Sequence, residues 1–144
     1  IFASLKKFKK GPFIKRKTER KAVEDYRERL NIKTPTLFQQ VKYLSGGNQQ
    51  KVVFAKWLCA DSGVYFFDEP TRGIDVGAKS EIYGMINMLA AAGNAVVVIS
   101  SELPEILGVC DRTVVFHEGR VTGVLDRREA TQEAIMYHAL GGDE

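Results

Sequence analysis

The stretch Leu44-Ser45-Gly46-Gly47-Asn48-Gln49-Gln50-Lys51 decides the fold, together with Val64-Tyr65-Phe66-Phe67-Asp68-Glu69-Pro70-Thr71 shortly after it. In the first segment a serine and two glycines stand immediately before an apolar, helix-forming run from Gln49 to Ala60. The first turn of such a helix presents unpaired backbone amides and the positive end of the helix dipole, which suit an anion. The segment therefore predicts a phosphate-binding turn, with an ordinary glycine turn before a core helix as the alternative.

The second segment predicts a strand that ends in two carboxylates. Val64 to Phe67 are large and apolar, which is typical of a strand buried on both faces of a parallel sheet. Open α/β sheets bind ligands beyond the carboxyl ends of their strands, where Asp68 and Glu69 lie. Neighbouring residues of an extended strand point in opposite directions, so we expect Asp68 to face Mg²⁺ and Glu69 to reach a separate water. A solvated acidic loop is the alternative, and the nearby glycine turn argues against it.

These motifs resemble those of ABC-type ATPases, and more narrowly the tandem ATPases of bacterial monosaccharide importers. Those proteins carry two cassettes in one polypeptide, and this chain is most similar to the end of the second cassette of the ribose, xylose and galactose type. The resemblance implies an α/β fold, a partial P-loop NTPase (ABC ATPase) fold with a parallel sheet core, part of the helical subdomain, and a C-terminal hairpin plus helix. Three segments carry it: Leu44 to Lys51, Glu69 to Lys79 and Ile99 to Glu105.

The resemblance also implies a nucleotide-binding set. Ser45, Gly46 and Gly47 match the signature motif that closes on the γ-phosphate of ATP held by the opposite cassette. Asn48 and Gln49 continue that motif. The superfamily usually carries glutamine at the position of Asn48, but asparagine is common in the sugar-importer subgroup and supports the assignment.

Four further residues receive roles from the same resemblance. Asp68 matches the aspartate that orients Mg²⁺, usually through water, and Glu69 the carboxylate that orients or deprotonates the attacking water. Asp75 resembles the aspartate loop between cassettes. Ser101 stands where most of the superfamily places a switch histidine. Serine has no imidazole ring to contact the γ-phosphate of ATP. Hydrolysis at a nucleotide site that includes Ser101 is therefore a weaker expectation.

The sequence contains no G-x-x-x-x-G-K-[ST] segment. The upstream aromatic and glutamine-loop elements of the family are absent too, and the chain begins with Ile1 rather than methionine. We therefore expect an excised fragment that is inactive alone, from a parent that hydrolyses ATP. Its expected partners are the missing P-loop half, the first cassette, ATP and the transmembrane permease subunits, and the isolated fragment is expected to self-associate.

Composition and charge are those of an ordinary globular domain: 44% of the residues are hydrophobic. No apolar run approaches the roughly 20 residues that span a bilayer. The two cysteines lack metal-binding spacing and predict free buried thiols of a cytosolic protein.

Residues 1–29 hold eleven Lys or Arg against four Asp or Glu. This basic arm could suggest a nucleic-acid partner, but it suits an anionic membrane surface near permease subunits better. We therefore expect no nucleic-acid partner. We expect a cytoplasmic location, peripheral to the inner face of the cell membrane.

The predicted organisation has three parts. Residues 1–43 form a basic arm and part of the helical subdomain, residues 44–126 the signature helix and Walker B half of the ATPase core, and residues 127–144 a C-terminal helical tail. Hydrophobic spacing and turn signals predict the elements. They are helices at 19–30, 76–92, 103–109 and 132–140, the last capped by Thr131, a strand at 95–100, and a hairpin of 113–117 with 120–125.

Three functions from different classes remain open. The first is a catalytic part of a sugar-importer ATPase. The second is an interaction or regulatory lobe that completes a partner's ATP site without turnover, which the serine at position 101 favours. The third is the distal lobe of a DNA-associated ABC-type ATPase, against which the sequence from Glu69 to Lys79 argues.

Overall fold

The computed structural model describes residues 4–10 and 12–142, except for the side chain of Lys10. Residues 1–3, 11, 143 and 144, which belong to the predicted basic arm and tail, lie outside the described residues. The chain divides into two compact units, the first of Ile1–Tyr65 with Thr71–Ala95 and the second of Phe66–Pro70 with Val96–Glu144. The three-part division of roles at residues 43 and 126 stays a prediction.

The first unit is mainly helical. Its elements are α1 (Leu5–Phe8), the short strands β1 (Lys9–Lys10) and β2 (Phe13–Ile14), α2 (Arg16–Arg29), a 3₁₀ turn (Val41–Tyr43), α3 (Gly46–Ala60) and α4 (Val76–Ala91). The helix predicted at 76–92 is confirmed as α4, and the apolar residues at helical spacing that predict it are all buried: Ile82, Met85, Ile86 and Leu89. Helix α3 begins at Gly46 rather than Gln49, so both signature glycines belong to its first turn.

Strands β3 (Val64–Asp68) and β4 (Ala95–Ile99) pair as predicted, joined by α4. The N–H of Ala95 donates to the carbonyl of Gly63 at 3.0 Å where both strands begin, and the N–H of Glu69 donates to the carbonyl of Ile99 at 2.8 Å where both end. The strands are therefore parallel, as the fold prediction required.

The prediction that β3 is buried on both faces is wrong, and β4 is also less buried than its apolar residues suggest. Tyr65 and Phe67 are buried, but Phe66 is 70% exposed and Ile99 is 52% exposed. Successive side chains of a strand point to opposite faces, and the described residues cover only one face of this pair. The continuous apolar run therefore predicted the strand correctly, but it wrongly predicted that the side chains on both of its faces are buried.

The second unit ends in a hairpin with a helix packed on it. Its elements after β4 are α5 (Leu103–Val109), β5 (Arg112–His117), β6 (Arg120–Asp126) and α6 (Gln132–Ala139). The hairpin turns at Glu118 and Gly119, whose φ values of +46° and +81° suit the tight turns that match strand twist. The predicted cap is confirmed: Thr131 Oγ1 accepts a hydrogen bond from the N–H of Ala134 at 3.1 Å.

Two broader expectations can be compared with the described part of the chain. Cys59 and Cys110 are both free, as predicted, although Cys110 is only half-buried. Among the described residues no helix combines the length and apolar character needed to cross a membrane.

Candidate nucleotide-contact site

The signature turn presents the amino end of α3 without a side-chain cap. Ser45 occupies the capping position in an extended conformation, with φ −61° and ψ 155°, yet its hydroxyl accepts no bond from the first-turn amides. Serine at this position usually accepts such a bond. The first-turn amides of Gly46 and Gly47 therefore keep their capacity to bind an anion.

Side chains within the signature are held by a short series of hydrogen bonds. Asn48 Nδ2 donates to Ser45 Oγ at 2.8 Å, and Asn48 Oδ1 accepts from the backbone N–H of Lys33 at 2.7 Å. Gln49 Nε2 turns back to the carbonyl of Leu44 at 2.8 Å. Asn48 and Gln49 thus hold the turn rather than leaving their amides free.

The two signature glycines differ in the room that a side chain would have. A Cβ placed on Gly47 would lie 2.7 Å from the Cβ of Ala78 in α4, which is too close for any real contact. A Cβ on Gly46 would meet Ile74 Cγ2 at 3.4 Å, an ordinary contact. The sequence suggested that both glycines serve phosphate approach, whereas Gly47 is also needed for α3 and α4 to pack closely.

Asp75 lies close to the start of α3, and its predicted role in an aspartate loop between cassettes stays a prediction. Its Oδ1 accepts from the N–H of Ala78 at 2.9 Å and so caps α4. Residues at the start of α3 and at the start of α4 line an open cleft of about 350 Å³. Asp75 lines it together with Ser45, Gly47 and Asn48.

A buried lysine that the sequence analysis left without a role also lines this cleft. Lys51 is only 3% exposed. Its Nζ lies 2.5 Å from Glu81 Oε2 in α4 and donates to the carbonyl of Asn31 at 3.0 Å. Lys51 stands between the polar residues 48–50 and the apolar run that follows, and nothing in that local pattern marks it as buried. A buried ammonium group needs partners, which here come from distant positions in the chain.

The strand end differs from the sequence prediction in one respect. Glu69 has a left-handed backbone with φ +46°, so the extended strand stops at Asp68 and the simple alternation of directions does not apply to Glu69. The backbone N–H of Ser101 donates to Glu69 Oε1 at 3.0 Å. Position 101 thus contacts the carboxylate through its main chain and not through its side chain.

The side chain of Asp68 is exposed and makes no hydrogen bond or ion pair with any described residue. No group of three or more His, Cys, Asp or Glu within residues 4–10 and 12–142 could enclose a metal ion. Mg²⁺ commonly binds through one or two carboxylates with phosphate oxygens and waters. A single free carboxylate at a strand end fits that manner of binding.

The half-buried thiol of Cys110 directly follows α5. Burial raises the pKa of Cys110, the carboxylates of Glu105 and Asp111 raise it further, and the guanidinium of Arg127 opposes them. The thiol therefore holds its proton to higher pH than an ordinary cysteine and is not an activated nucleophile.

The fold and these motifs define the class of ABC transporter ATP-binding cassettes. Residues 2–72 match the sequence profile of the ABC transporter family. An ATP-binding cassette of an ABC transporter superposes with a TM-score of 0.75 at 20% identity, covering 92% of this chain and 52% of that one. A bacterial cassette solved as a dimer gives 0.70 at 21% identity, covering 83% and 51%.

Curated relatives match nearly the whole chain at higher identity. The ribose import ATP-binding protein RbsA of Clostridium perfringens is 54% identical over 139 residues, which are 96% of this chain and 28% of that protein. A ribose/galactose/methyl galactoside import ATP-binding protein of Rhizobium etli is 56% identical over 140 residues, 97% and 27%. The chain belongs to the ABC transporter ATP-binding family and spans about a quarter of the length of these relatives.

Proposed function

We propose that this chain forms the signature and strand-end part of the second cassette of an ATPase that drives monosaccharide import. The observation that carries the proposal is the uncapped start of α3, where Ser45 leaves the amides of Gly46 and Gly47 available to an anion. Relatives that are 52–56% identical over 90–98% of this chain are named as sugar import ATP-binding proteins, which supports the substrate class.

In this proposal Ser45, Gly46 and Gly47 contact the γ-phosphate of ATP that the opposite cassette holds. Backbone amides and a hydroxyl group suit this task, because they stabilise negative charge on the phosphoryl oxygens without becoming charged themselves. Asp75, which caps α4 beside the signature, belongs to the surface that faces the opposite cassette. Asn48 and Gln49 support the turn, as their hydrogen bonds indicate.

The two strand-end carboxylates take separate roles. Glu69 orients the attacking water and accepts its proton, with one oxygen held by the amide of Ser101. Asp68 would hold Mg²⁺, directly or through water, because its carboxylate is exposed and without a partner among the described residues. When bound, Mg²⁺ neutralises charge on the transferring phosphate.

The remaining partners follow from the same proposal. The P-loop half of the cassette, the first cassette and the permease subunits complete the transporter, which places this chain on the cytoplasmic face of the membrane. Phe66, Val97 and Ile99 are exposed on one face of the strand pair and need apolar cover. Without the P-loop half we expect this chain to self-associate, and sedimentation at decreasing concentration would measure it.

A chimera tests the catalytic proposal directly. The 139 residues of the Clostridium perfringens relative that match this chain would be replaced by the chain itself. We expect the chimera to hydrolyse ATP, and Glu69→Gln to lower the rate at least about a hundredfold while the protein stays folded. An inactive but folded chimera, or full turnover in Glu69→Gln, would contradict the proposed role.

Titration of the isolated chain with Mg-ATP tests whether nucleotide binding requires the P-loop half of the cassette. Because the sequence has no P-loop, calorimetric titration should show no heat up to millimolar nucleotide. Micromolar affinity would mean that this chain holds ATP without a P-loop, and would overturn the proposal that its contacts act across a cassette pair.

One observation favours a second function, in which this lobe completes a partner's ATP site without catalysing hydrolysis beside its own carboxylates. Ser101 stands at the position of the switch histidine and offers Glu69 only its main-chain amide. In that case the chimera would retain full turnover when Glu69 is replaced by glutamine, and would lose it when Ser45 is replaced by alanine.

A further inference from the structure

We propose that Asn48 is a positioning residue that directs the Ser45 hydroxyl towards its phosphate acceptor, with the backbone of Lys33 fixing the orientation of Asn48. The inference rests on the proposed function, because it names how one contact of that site is prepared. It assigns Asn48 a role through Ser45, where the sequence pattern suggested a contact with nucleotide.

The orientation of the Asn48 amide follows from its neighbours. The N–H of Lys33 is a donor and lies 2.7 Å from Asn48, so the atom facing it must be the carbonyl oxygen Oδ1. The amide nitrogen Nδ2 then faces Ser45 Oγ at 2.8 Å. The reversed amide would set two donors against each other at Lys33.

This orientation determines the direction of the serine hydroxyl. An amide nitrogen donates and does not accept, so Ser45 Oγ must be the acceptor in its bond with Asn48. The hydroxyl hydrogen of Ser45 must therefore point elsewhere. Among the described residues nothing accepts it, and Ser45 caps no amide of α3. The hydroxyl is left as a donor for an oxygen that arrives from outside, as a phosphate would.

The hydrogen bonds act in one direction, from Lys33 N–H through the Asn48 amide to the Ser45 hydroxyl. Each bond in such a series polarises the next, which makes the final O–H a stronger donor. Both Lys33 and Asn48 line the cleft that contains Ser45. The loop after α2 thereby prepares the signature serine although it holds no signature residue.

Asparagine suits this arrangement better than aspartate, alanine or glutamine would. Aspartate would accept from Lys33 as Asn48 does, but it would also accept from Ser45 and would draw the hydroxyl hydrogen inward. Alanine would remove both bonds. Glutamine keeps the amide on a longer side chain, and would have to bend to bridge the same two groups.

The activity arm of the test uses the chimera described above. We expect Ser45→Ala to lower ATP hydrolysis about a hundredfold and Asn48→Ala about tenfold. The double variant should be no slower than Ser45→Ala alone, because Asn48 has nothing to position once the hydroxyl is gone. Asn48→Asp should lose more than Asn48→Ala, and repeating both in the Ser45→Ala background separates hydroxyl reversal from added charge.

The second arm uses nuclear magnetic resonance on the chain itself. A scalar coupling across the hydrogen bond should join the Lys33 amide nitrogen to the Asn48 side-chain carbonyl, and it should persist in Ser45→Ala. Asn48→Ala should abolish the coupling and speed exchange of the Lys33 amide about tenfold.

The two arms separate failure of this inference from failure of the proposed function. An inactive chimera with the coupling present would refute the catalytic proposal and leave the hydrogen-bonded arrangement supported. Absence of the coupling, or losses in Asn48→Ala and Ser45→Ala that multiply in the double variant, would overturn the inference even if the chimera is active.

Discussion

The signature turn and the strand-end carboxylates share one proposed reaction but are held in different ways. Around the turn, side chains make the restraints: Asn48 bonds to Ser45, and buried Lys51 joins α3 to Glu81 of α4. At the strand end the main chain makes them, because the amides of Glu69 and Ser101 form the two hydrogen bonds that hold the glutamate.

This difference shows which substitutions each region tolerates. A site held by side chains depends on residue identity at the supporting positions, so substitution there disturbs the functional group directly. A site held by backbone amides tolerates a change of side chain, provided that the chain keeps its path. Ser101 can therefore replace another residue type without releasing Glu69, although it supplies no imidazole.

The largest expected effect is on folding of the signature region. Gly47→Ala should lower the free energy of unfolding by about 2 kcal/mol, because its Cβ would meet that of Ala78 at 2.7 Å. Urea denaturation followed by circular dichroism measures it. Gly46→Ala is the matched control and should change stability by less than about 0.5 kcal/mol. Equal losses of stability in Gly47→Ala and Gly46→Ala would show that close packing does not distinguish the two glycines. Adding Ala78→Gly to Gly47→Ala should partly restore the stability.

Removal of the buried lysine should have the next largest effect. Lys51→Met keeps the volume but leaves the Asn31 carbonyl without its donor, which should lower the free energy of unfolding by about 1–2 kcal/mol. Glu81→Gln should cost less, because Glu81 is partly exposed and glutamine still accepts from Lys51. If Lys51→Met is as stable as the unsubstituted chain, the side-chain restraints of this region contribute no net stability.

The main-chain restraint at the strand end predicts a smaller, local effect. Glu69→Ala should speed hydrogen exchange of the Ser101 amide about tenfold, because that amide loses its acceptor. Glu69→Gln retains an acceptor oxygen and should change exchange much less, and Ser101→Ala should keep the protection. Rapid exchange at residue 101 in the unsubstituted chain would remove the distinction between the two regions.

The smallest expected effect concerns Cys110 in the second unit. Its thiol pKa is raised in the folded chain by burial, so the folded state keeps a proton that the unfolded state releases. The free energy of unfolding should therefore fall as pH rises from the ordinary thiol pKa through the raised one. Chemical denaturation across that alkaline window measures it, and Cys110→Ser should flatten the change. An unchanged pH profile in that variant would contradict the raised pKa.

Sequence patterns located the elements well, because local spacing encodes them. The α4 stripe, the hairpin turn at Glu118 and the Thr131 cap all depend on residues within a few positions of each other. The apolar run of β3 was less informative, since it marks a strand without showing what covers each face. Phe66 is accordingly exposed where the run suggested burial.

The candidate site shows the same limit. Its residues could be named from motif spacing, but Lys33 and Lys51 could not, because their partners are 15 to 30 positions away. Nor could the backbone of Glu69 be read from the sequence, since a left-handed conformation at a non-glycine residue is held by the surrounding hydrogen bonds.

The sequence by itself determined the class of the chain and the order of its helices and strands from α2 to α6, and it located the candidate signature and strand-end residues. Short-range spacing and residue chemistry carry that information directly. The tertiary structure alone decided how these residues are oriented: which way the Ser45 hydroxyl can donate, why Gly47 admits no side chain, and which amide holds Glu69. Orientation depends on groups distant in the chain that folding brings within hydrogen-bond or van der Waals contact, and such contacts leave no local pattern.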